Sequence, residues 1–561
     1  MRELTWKGVH APEDGDYCIA EVPDDGPALL VEVLGADDRP EWDDTIVASQ
    51  HRLRIHFPSA AEHEAAAVAA PVSRDRTGRL DLRDQLVFTI DPEDARDHDD
   101  ALSVTTLHGG HHEVGIHIAD VSHYVRPGSA LDREARRRGT SCYLPGGVVP
   151  MLPEALSADV CSLKPDRDRL ALSVFAEIDR GGQRVAHRFV ETVIRSRHRL
   201  HYAEVQEALD GKAPKDPPLQ DALLLLRTLA RALRRRRLAA GALDLDVPEV
   251  KAWVDTHGVP LRIERRPHLE SHELIEEFML LANRCVGQEG ARRGGGVLFR
   301  IHEPPAEPKL HDLDRMLRAL GLPRLGAVTD PARALQALLA VPLDPPHRRL
   351  LHRLVLRSLA RARYHEADLG HFGLATREYC HFTSPIRRYP DLHNHRRVRE
   401  WIRSGRGAVS RPQHAGRAGP ALDPEAWDPV ALAALAGQCS DAEQTATEAE
   451  REGVKVKTLR ILETRLGDRA SGIISGLIPQ GFFVELEDVP AEGFVRPSLY
   501  LDDSFVLDPS GVRLVGRRTR RRFSLGDTVE VTVARVDVPA RECDLALEAP
   551  RRRTSRRRIR R

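Results

Sequence analysis

An α+β fold follows from three features of how apolar residues recur along the chain. Between about residues 80 and 200 they alternate at the two-residue period of strands, as in His112–Val121 and Leu170–Ile178. From Pro218 to about residue 463 they return at helical spacing, exemplified by Leu223, Leu226, Leu229, Ala230 and Leu233. Beyond residue 466 short strands resume at barrel-like intervals. The expectation is a large mixed sheet with surrounding helices, flanked by small OB-type β-barrels.

Residues 1–64 carry short alternating runs broken by Asp-Asp-Gly and Gly-Ala-Asp-Asp turns, which suggests a small antiparallel barrel or part of one. A second unit, 65–465, would hold the sheet and then helices near 218–241, 270–287, 310–320, 345–365 and 389–403. Within it, residues 405–429 are rich in Gly, Pro, Arg and Ala without periodicity and read as a flexible insertion or linker, with a helix resuming over 430–465. Residues 466–549 read as a third unit, an OB-fold barrel. There Gly481 precedes Phe482 and Phe483, which would place paired aromatics on a tight turn suited to stacking bases. Residues 550–561 form an arginine-rich tail.

At 561 residues the chain exceeds what one hydrophobic core supports, so two to four domains are expected. Lys plus Arg and Asp plus Glu both number 84, so only the distribution of charge is informative. Eight arginines crowd Arg551–Arg561, and six carboxylates crowd Asp91–Asp100. That asymmetry suits a polyanionic substrate gripped in one place and cut in another. The seven cysteines form no CxxC pair and no finger spacing, which reads as reduced thiols in a cytoplasmic protein. An apolar signal core and long apolar runs are both lacking, which argues against secretion and membrane insertion.

The acidic run lies between the apolar stretches Leu86–Ile90 and Ala101–Val104, so it is expected on a loop joined to strands. Carboxylates held there repel one another unless a cation neutralises them. Asp91, Asp97, Asp99 and Asp100, at offsets 0, 6, 8 and 9, can fold around one or two ions. All-oxygen ligation without Cys favours Mg²⁺, or Mn²⁺, over Zn²⁺. A calcium hand fits poorly, because no glycine stands at its sixth position and Leu102 stands where its bidentate Glu belongs. A solvated acidic loop is the bland alternative.

In His381–Leu392, Pro385 and Pro390 interrupt regular structure around Arg387 and Arg388, presenting two guanidinium groups suited to phosphate oxygens; surface arginines are the alternative. Tyr143 sits in the Gly/Pro-rich loop 139–147, where an aromatic could stack on a base or simply pack.

Five segments in order now carry a resemblance: the Asp91–Asp100 run, Ile116–His123, Leu144–Pro153, Ile275–Asn283 and Thr383–Asp391. Together they resemble the ribonuclease II / ribonuclease R family, with its RNB catalytic domain over about 65–465 and an S1-type barrel over 466–549. The resemblance implies a processive, hydrolytic 3′-to-5′ exoribonuclease that degrades single-stranded RNA to 5′-nucleotides with Mg²⁺ and no small-molecule cofactor. It assigns Asp91, Asp97, Asp99 and Asp100 to the metal-binding and catalytic set and Arg387 to the scissile phosphate. It further implies that Tyr143 stacks near the 3′ end of the RNA, that Tyr202 matches a second active-site, RNA-binding tyrosine, and that Glu276 or Glu277, and Glu450, line the RNA path or help release product.

Two departures bear on substrate handling. Only about 64 residues precede the catalytic domain, enough for at most one of the family's two cold-shock modules. Leu245 stands where relatives often have a phenylalanine that clamps the bound strand. A catalytically silent RNA-binding regulator on the same scaffold is the main competing reading, and a metal-dependent DNA nuclease a third. A monomer is expected, since a channel threading one strand needs no partner subunit.

Overall fold

The computed structural model describes residues 4–6, 12–21, 28–36, 39–69, 76–212, 214, 216–245, 248–326, 329–406 and 428–548. Nearly all of the expected 405–429 linker and the whole Arg551–Arg561 tail lie outside the described residues. The alternating runs of the first half form one seven-stranded sheet. Its order is His198–His201, Phe88–Asp91, Asp100–Thr106, His112–Ala119, Asp168–Ile178, Arg184–Arg195 and Leu80–Asp81. The inner pairings are antiparallel and the two edge pairings parallel.

Alternation sends successive side chains of each strand to opposite faces, and both faces are covered. Phe88, Ile90, Leu102, Ile116 and Leu172 pack against the helices Tyr202–Leu209, Pro217–Ala240 and Glu270–Arg292 through Leu223, Leu226, Leu274 and Phe278. Val87, Ala101, Ala119 and Leu170 face the other way, onto Leu131, Met151, Leu392 of the helix Tyr389–Trp401 and Leu435. A buried polar thread crosses four neighbouring strands, with Ser103 Oγ 2.9 Å from His117 Nε2, Ser173 Oγ 2.8 Å from His117 Nδ1 and Thr192 Oγ1 2.7 Å from Ser173. A one-residue slip would break it, so the thread fixes register.

The N-terminal expectation changes in detail. The described residues there form a three-stranded sheet, Leu4–Trp6, Ala28–Ala36 and Asp16–Glu21, not a closed barrel. The helices Asp43–Gln50 and Ser59–Val68 follow, so a boundary at residue 64 would cut the second helix. Asp43 is buried against Lys457 Nζ at 2.9 Å and Arg460 Nη2 at 2.9 Å, which ties the first helix to the long helix Pro429–Glu463. The helix expected over 345–365 ends at Ser358, and Arg363–His365 pairs instead with the strand Phe299–Ile301. A helix at Pro331–Leu339, capped by the Asp330 side chain, was not anticipated.

Beyond the long helix, Arg469–Ile478, Gly481–Leu486, Glu492–Val495, Glu542–Leu547 and Thr528–Asp537 close a five-stranded barrel as expected. A small sheet, Phe505–Leu507, Arg513–Gly516 and Arg522–Ser524, joins it to the helices Glu307–Leu320 and Pro345–Ser358 through a shared core containing Leu514, Phe523, Leu317 and Leu350.

Candidate active site

The acidic run bridges two adjacent central strands, with Asp91 the last residue of one and Asp100 the first of the next. The loop between them is tied down: His98 N donates to Ser162 Oγ at 3.0 Å, Ser162 Oγ to Arg96 O at 2.9 Å, and Ala119 N to Asp99 O at 2.8 Å. Its six acids separate accordingly. Glu93 and Asp94 point outward, Asp94 pairing with Lys251. Asp91 lies 2.8 Å from His98 Nδ1, and Asp97 accepts from the Tyr143 hydroxyl at 2.7 Å.

Asp99 and Asp100 are the electrostatic centre. Asp99 Oδ1 accepts from Ile386 N at 2.9 Å, while its Oδ2 is buried, has no hydrogen-bond partner, and lies 3.6 Å from Arg387 Nε. Burial holds the Asp99 carboxyl well above the ordinary range, opposed by the Arg387 charge and reinforced by Asp97. Burial, with the Asp91 charge adding to it, pushes Asp100 up to about 8, and its Oδ2 is also buried without a partner. Two orphaned carboxylate oxygens are costly unless a cation takes them.

Among the described residues no three His, Cys, Asp or Glu side chains stand close enough together to hold a metal ion between them. The site offers two such orphaned oxygens, on Asp99 and Asp100, and one or two carboxylates are what usually hold Mg²⁺ when phosphate and water complete its coordination.

Arg387 and Arg388 are neighbours in sequence and opposites in role. The Arg387 side chain is 42% exposed, beside Asp99, and its Nη2 donates to Ser384 Oγ at 3.0 Å. Arg388 is turned inward, Nη2 bonding to the fully buried Asp391 at 2.7 Å, and Asp391 also accepts from Ser384 N at 2.8 Å. Arg388 therefore builds the loop that presents Arg387, and the expected two-arginine clamp has one arm. Asn283, at the end of the 275–283 motif, supports the same segment by accepting from Phe382 N at 2.8 Å.

Tyr143 is 37% exposed on the hairpin Cys142–Leu144/Gly147–Val149, and its backbone N–H donates to Glu450 of the long helix at 2.7 Å. Burial raises the Glu450 carboxyl, with that hydrogen bond and Arg387 opposing. Glu450 thus holds the tyrosine in place. Tyr202 stacks on His272, with ring centroids 4.0 Å apart and planes at 19°, and His268 continues the stack at 5.7 Å. Burial raises the Tyr202 hydroxyl, helped by the charges of Asp100, Asp91 and Glu276. Glu276 is half exposed, 3.9 Å from His268. Glu277 is 4% exposed and held by Arg237 at 2.5 Å, so it belongs to the scaffold and not to the RNA path.

In the C-terminal barrel Phe482 is 0% exposed and packs on Phe523 at 4.8 Å, so it cannot stack on a base. Phe483 faces outward on the same strand, paired with Phe494 at 5.1 Å. Gly481 is the first residue of the strand and not part of a turn, and a Cβ there would sit 2.1 Å from Val495 O, so glycine is what lets the neighbouring strand approach. Leu245 is partly buried, packed against the core shared by the helices and the C-terminal barrel. His98, His272, Ser384, Asp391 and Asn283 were not singled out from sequence. His98 lay inside the acidic run, and the others in or near quoted motifs, but only folding shows what they touch.

Comparison with known proteins agrees with this geometry. Residues 79–404 match the RNB domain and 463–548 the S1 RNA binding domain. Ribonuclease R of Thermotoga maritima is 39% identical over 93% of this chain and 72% of its own length. That of Escherichia coli is 35% identical over 92% of this chain and 63% of its own. Mycoplasma genitalium RNase R in complex with ribose methylated single-stranded RNA superposes with a TM-score of 0.86 at 26% identity, covering 98% of this chain and 85% of that one. The RNB match spans more than half the chain and contains the Asp99–Arg387 site, so this chain belongs to the ribonuclease R family of RNB exoribonucleases.

Proposed function

We propose that this chain is a 3′-to-5′ exoribonuclease that hydrolyses single-stranded RNA processively, releasing 5′-nucleotides. The observation that carries the reading is the Asp99/Asp100 pair, each with a buried oxygen lacking a hydrogen-bond partner, beside the half-exposed Arg387 guanidinium. Those oxygens suit Mg²⁺, with Mn²⁺ as a substitute, and Asp91 and Asp97 would complete the donor set. When bound, the ion would supply Lewis-acid polarisation of the phosphate and an activated water.

The chain's own residues do the rest. Arg387, aimed by Ser384, binds the non-bridging oxygens of the scissile phosphate and offsets charge that builds during displacement. Tyr143 stacks on the terminal base while its hydroxyl is held by Asp97, so base position and carboxylate position are coupled through one hydrogen bond. The Tyr202–His272 stack forms a second wall, with Glu276 beside it. Phe483 and Phe494 offer a stacking face for incoming RNA on the barrel.

A silent RNA binder is disfavoured by the same acids, which repel phosphate unless a cation is bound. All seven cysteines are unpaired, and no helix among the described residues is long and apolar enough to cross a membrane. We place the chain in the cytoplasm, as a monomer without a small-molecule cofactor; light scattering after size-exclusion chromatography tests the monomer.

The deciding experiment uses 5′-labelled RNA with Mg²⁺ and either the wild type or Asp99→Asn. Shortening from the 3′ end with release of 5′-nucleotides by the wild type alone is the expected result. Tight binding without cleavage by the wild type would retract the catalytic assignment.

A further inference from the structure

The hairpin between the strands Arg513–Gly516 and Arg522–Ser524 reads Arg517-Arg518-Thr519-Arg520-Arg521-Arg522, five guanidinium groups in six residues. Its shape is fixed from within. The Asp503 carboxylate accepts from Arg518 N at 2.9 Å, from Thr519 N at 2.7 Å and from the Thr519 hydroxyl, and Gly516 N donates to Arg521 O at 2.8 Å. A Cβ at Gly516 would lie 2.3 Å from Asp503 Oδ2, so glycine is what admits that carboxylate. Arg520 sits at φ +57°, a conformation a non-glycine residue keeps when its surroundings impose it.

With Asp503 consumed by the backbone, the arginines are left to find their own partners. Arg518 reaches Asp502 at 2.7 Å, and Arg521 lies over the Phe523 ring at 5.0 Å. Arg517, Arg520 and Arg522 are exposed and have no carboxylate partner among the described residues. In another dense arginine block, 234–237, Arg234 pairs with Asp244 and Glu273 and Arg237 with Glu277, leaving only Arg235 and Arg236 exposed on the outer face of a helix. The underside of the small sheet is core, Leu514 and Phe523 sharing a cluster with Leu317 and Leu350, so the hairpin is mounted on the catalytic body.

Three outward, unneutralised guanidiniums on a rigid loop make a preorganised grip for phosphate. We infer that this hairpin is a second RNA-backbone site, distinct from the Asp99–Arg387 loop and from the Phe483–Phe494 face, which holds phosphates upstream of the end being hydrolysed. The inference rests on RNA being the substrate.

The test compares the chain carrying Arg517→Gln, Arg520→Gln and Arg522→Gln with one carrying Lys at the same three positions. Binding is measured in an Asp99→Asn background, on a long labelled single strand and on a duplex with a 3′ overhang. Cleavage of a short RNA is measured in the otherwise wild-type chain. The Gln variant should bind the long RNAs about tenfold more weakly near physiological salt, with a log Kd against log salt slope shallower by about 2, at ~0.7 per single-strand phosphate. It should cleave the short RNA at the wild-type rate, and the Lys variant should keep the slope. A loss confined to the duplex assigns the gripped phosphates to paired RNA, and a loss on both to the strand itself. Unchanged affinity and slope on both RNAs overturns the inference, as does equal loss in the Lys variant or loss of short-RNA cleavage. Failure of the wild type to shorten any RNA would retract the exoribonuclease reading instead, while the binding slopes still judge the hairpin.

Discussion

Asp100→Asn should make the metal-free protein more stable while abolishing its activity. Burial and Asp91 raise the Asp100 carboxyl from 3.8 to about 8. A carboxyl whose folded pKa exceeds its unfolded one binds more protons in the native state, so stability falls as pH rises from about 4 to about 8 and is level above that. At pH 7 the cost is on the order of 4 kcal/mol, and at pH 4 it is about 0.5 kcal/mol. A folding unit the size of residues 79–404 unfolds with an entropy of about 0.7 kcal/mol/K, so removing the charge should raise the melting temperature by up to about 6 °C near neutral pH. Thermal melts in EDTA at pH 4, 6 and 8 measure this. Mg²⁺ at a hundredfold its Kd should then return about 2.7 kcal/mol to the wild type and far less to the variant. A variant less stable than the wild type at pH 8 in EDTA, or a gain as large at pH 4 as at pH 8, would refute the reasoning.

Further outcomes follow from three pairs of adjacent residues that the fold sends in opposite directions. Arg387→Lys should lower kcat by about a hundredfold with little change in RNA affinity, because a fork is replaced by a point charge; Arg388→Lys should lower the melting temperature, because Asp391 loses its buried partner. Glu277→Ala should cost about 3–5 kcal/mol of stability by stranding Arg237, whereas Glu276→Gln should leave melting unchanged and alter cleavage rate or final product length. Phe482→Ala should destabilise the C-terminal barrel by about 3–5 kcal/mol, and Phe483→Ala should weaken RNA binding by about 1–3 kcal/mol with the barrel intact, as read by urea melts and fluorescence anisotropy. Leu245→Phe should change the length of the final product on a sequencing gel if that position reaches the bound strand; an unchanged length would show that it does not.

The order of strands, helices and barrel and the acidic run between two strands were legible in local spacing, because local spacing sets the period of each element, whereas the grouping of Asp91–Asp100 with Tyr143 and Arg387 came only from the family resemblance. What spacing leaves open is the phase of an element against its neighbours, which only packing settles. Arg387 reaches Asp99 while Arg388 turns to Asp391, Glu276 faces the Tyr202 space while Glu277 meets Arg237, and Phe483 is outward while Phe482 fills the barrel. In each pair the two side chains have similar chemistry and differ by one position. One residue is a rotation of about 100° on a helix and a change of face on a strand, so burial decides which member stays accessible. The tertiary structure likewise joined groups far apart in the chain, seating Glu450 under Tyr143 and His272 against Tyr202, and it turned residues 39–69 from barrel into helices anchored by Asp43 on Lys457 and Arg460. Such contacts depend on chain paths that no local pattern encodes.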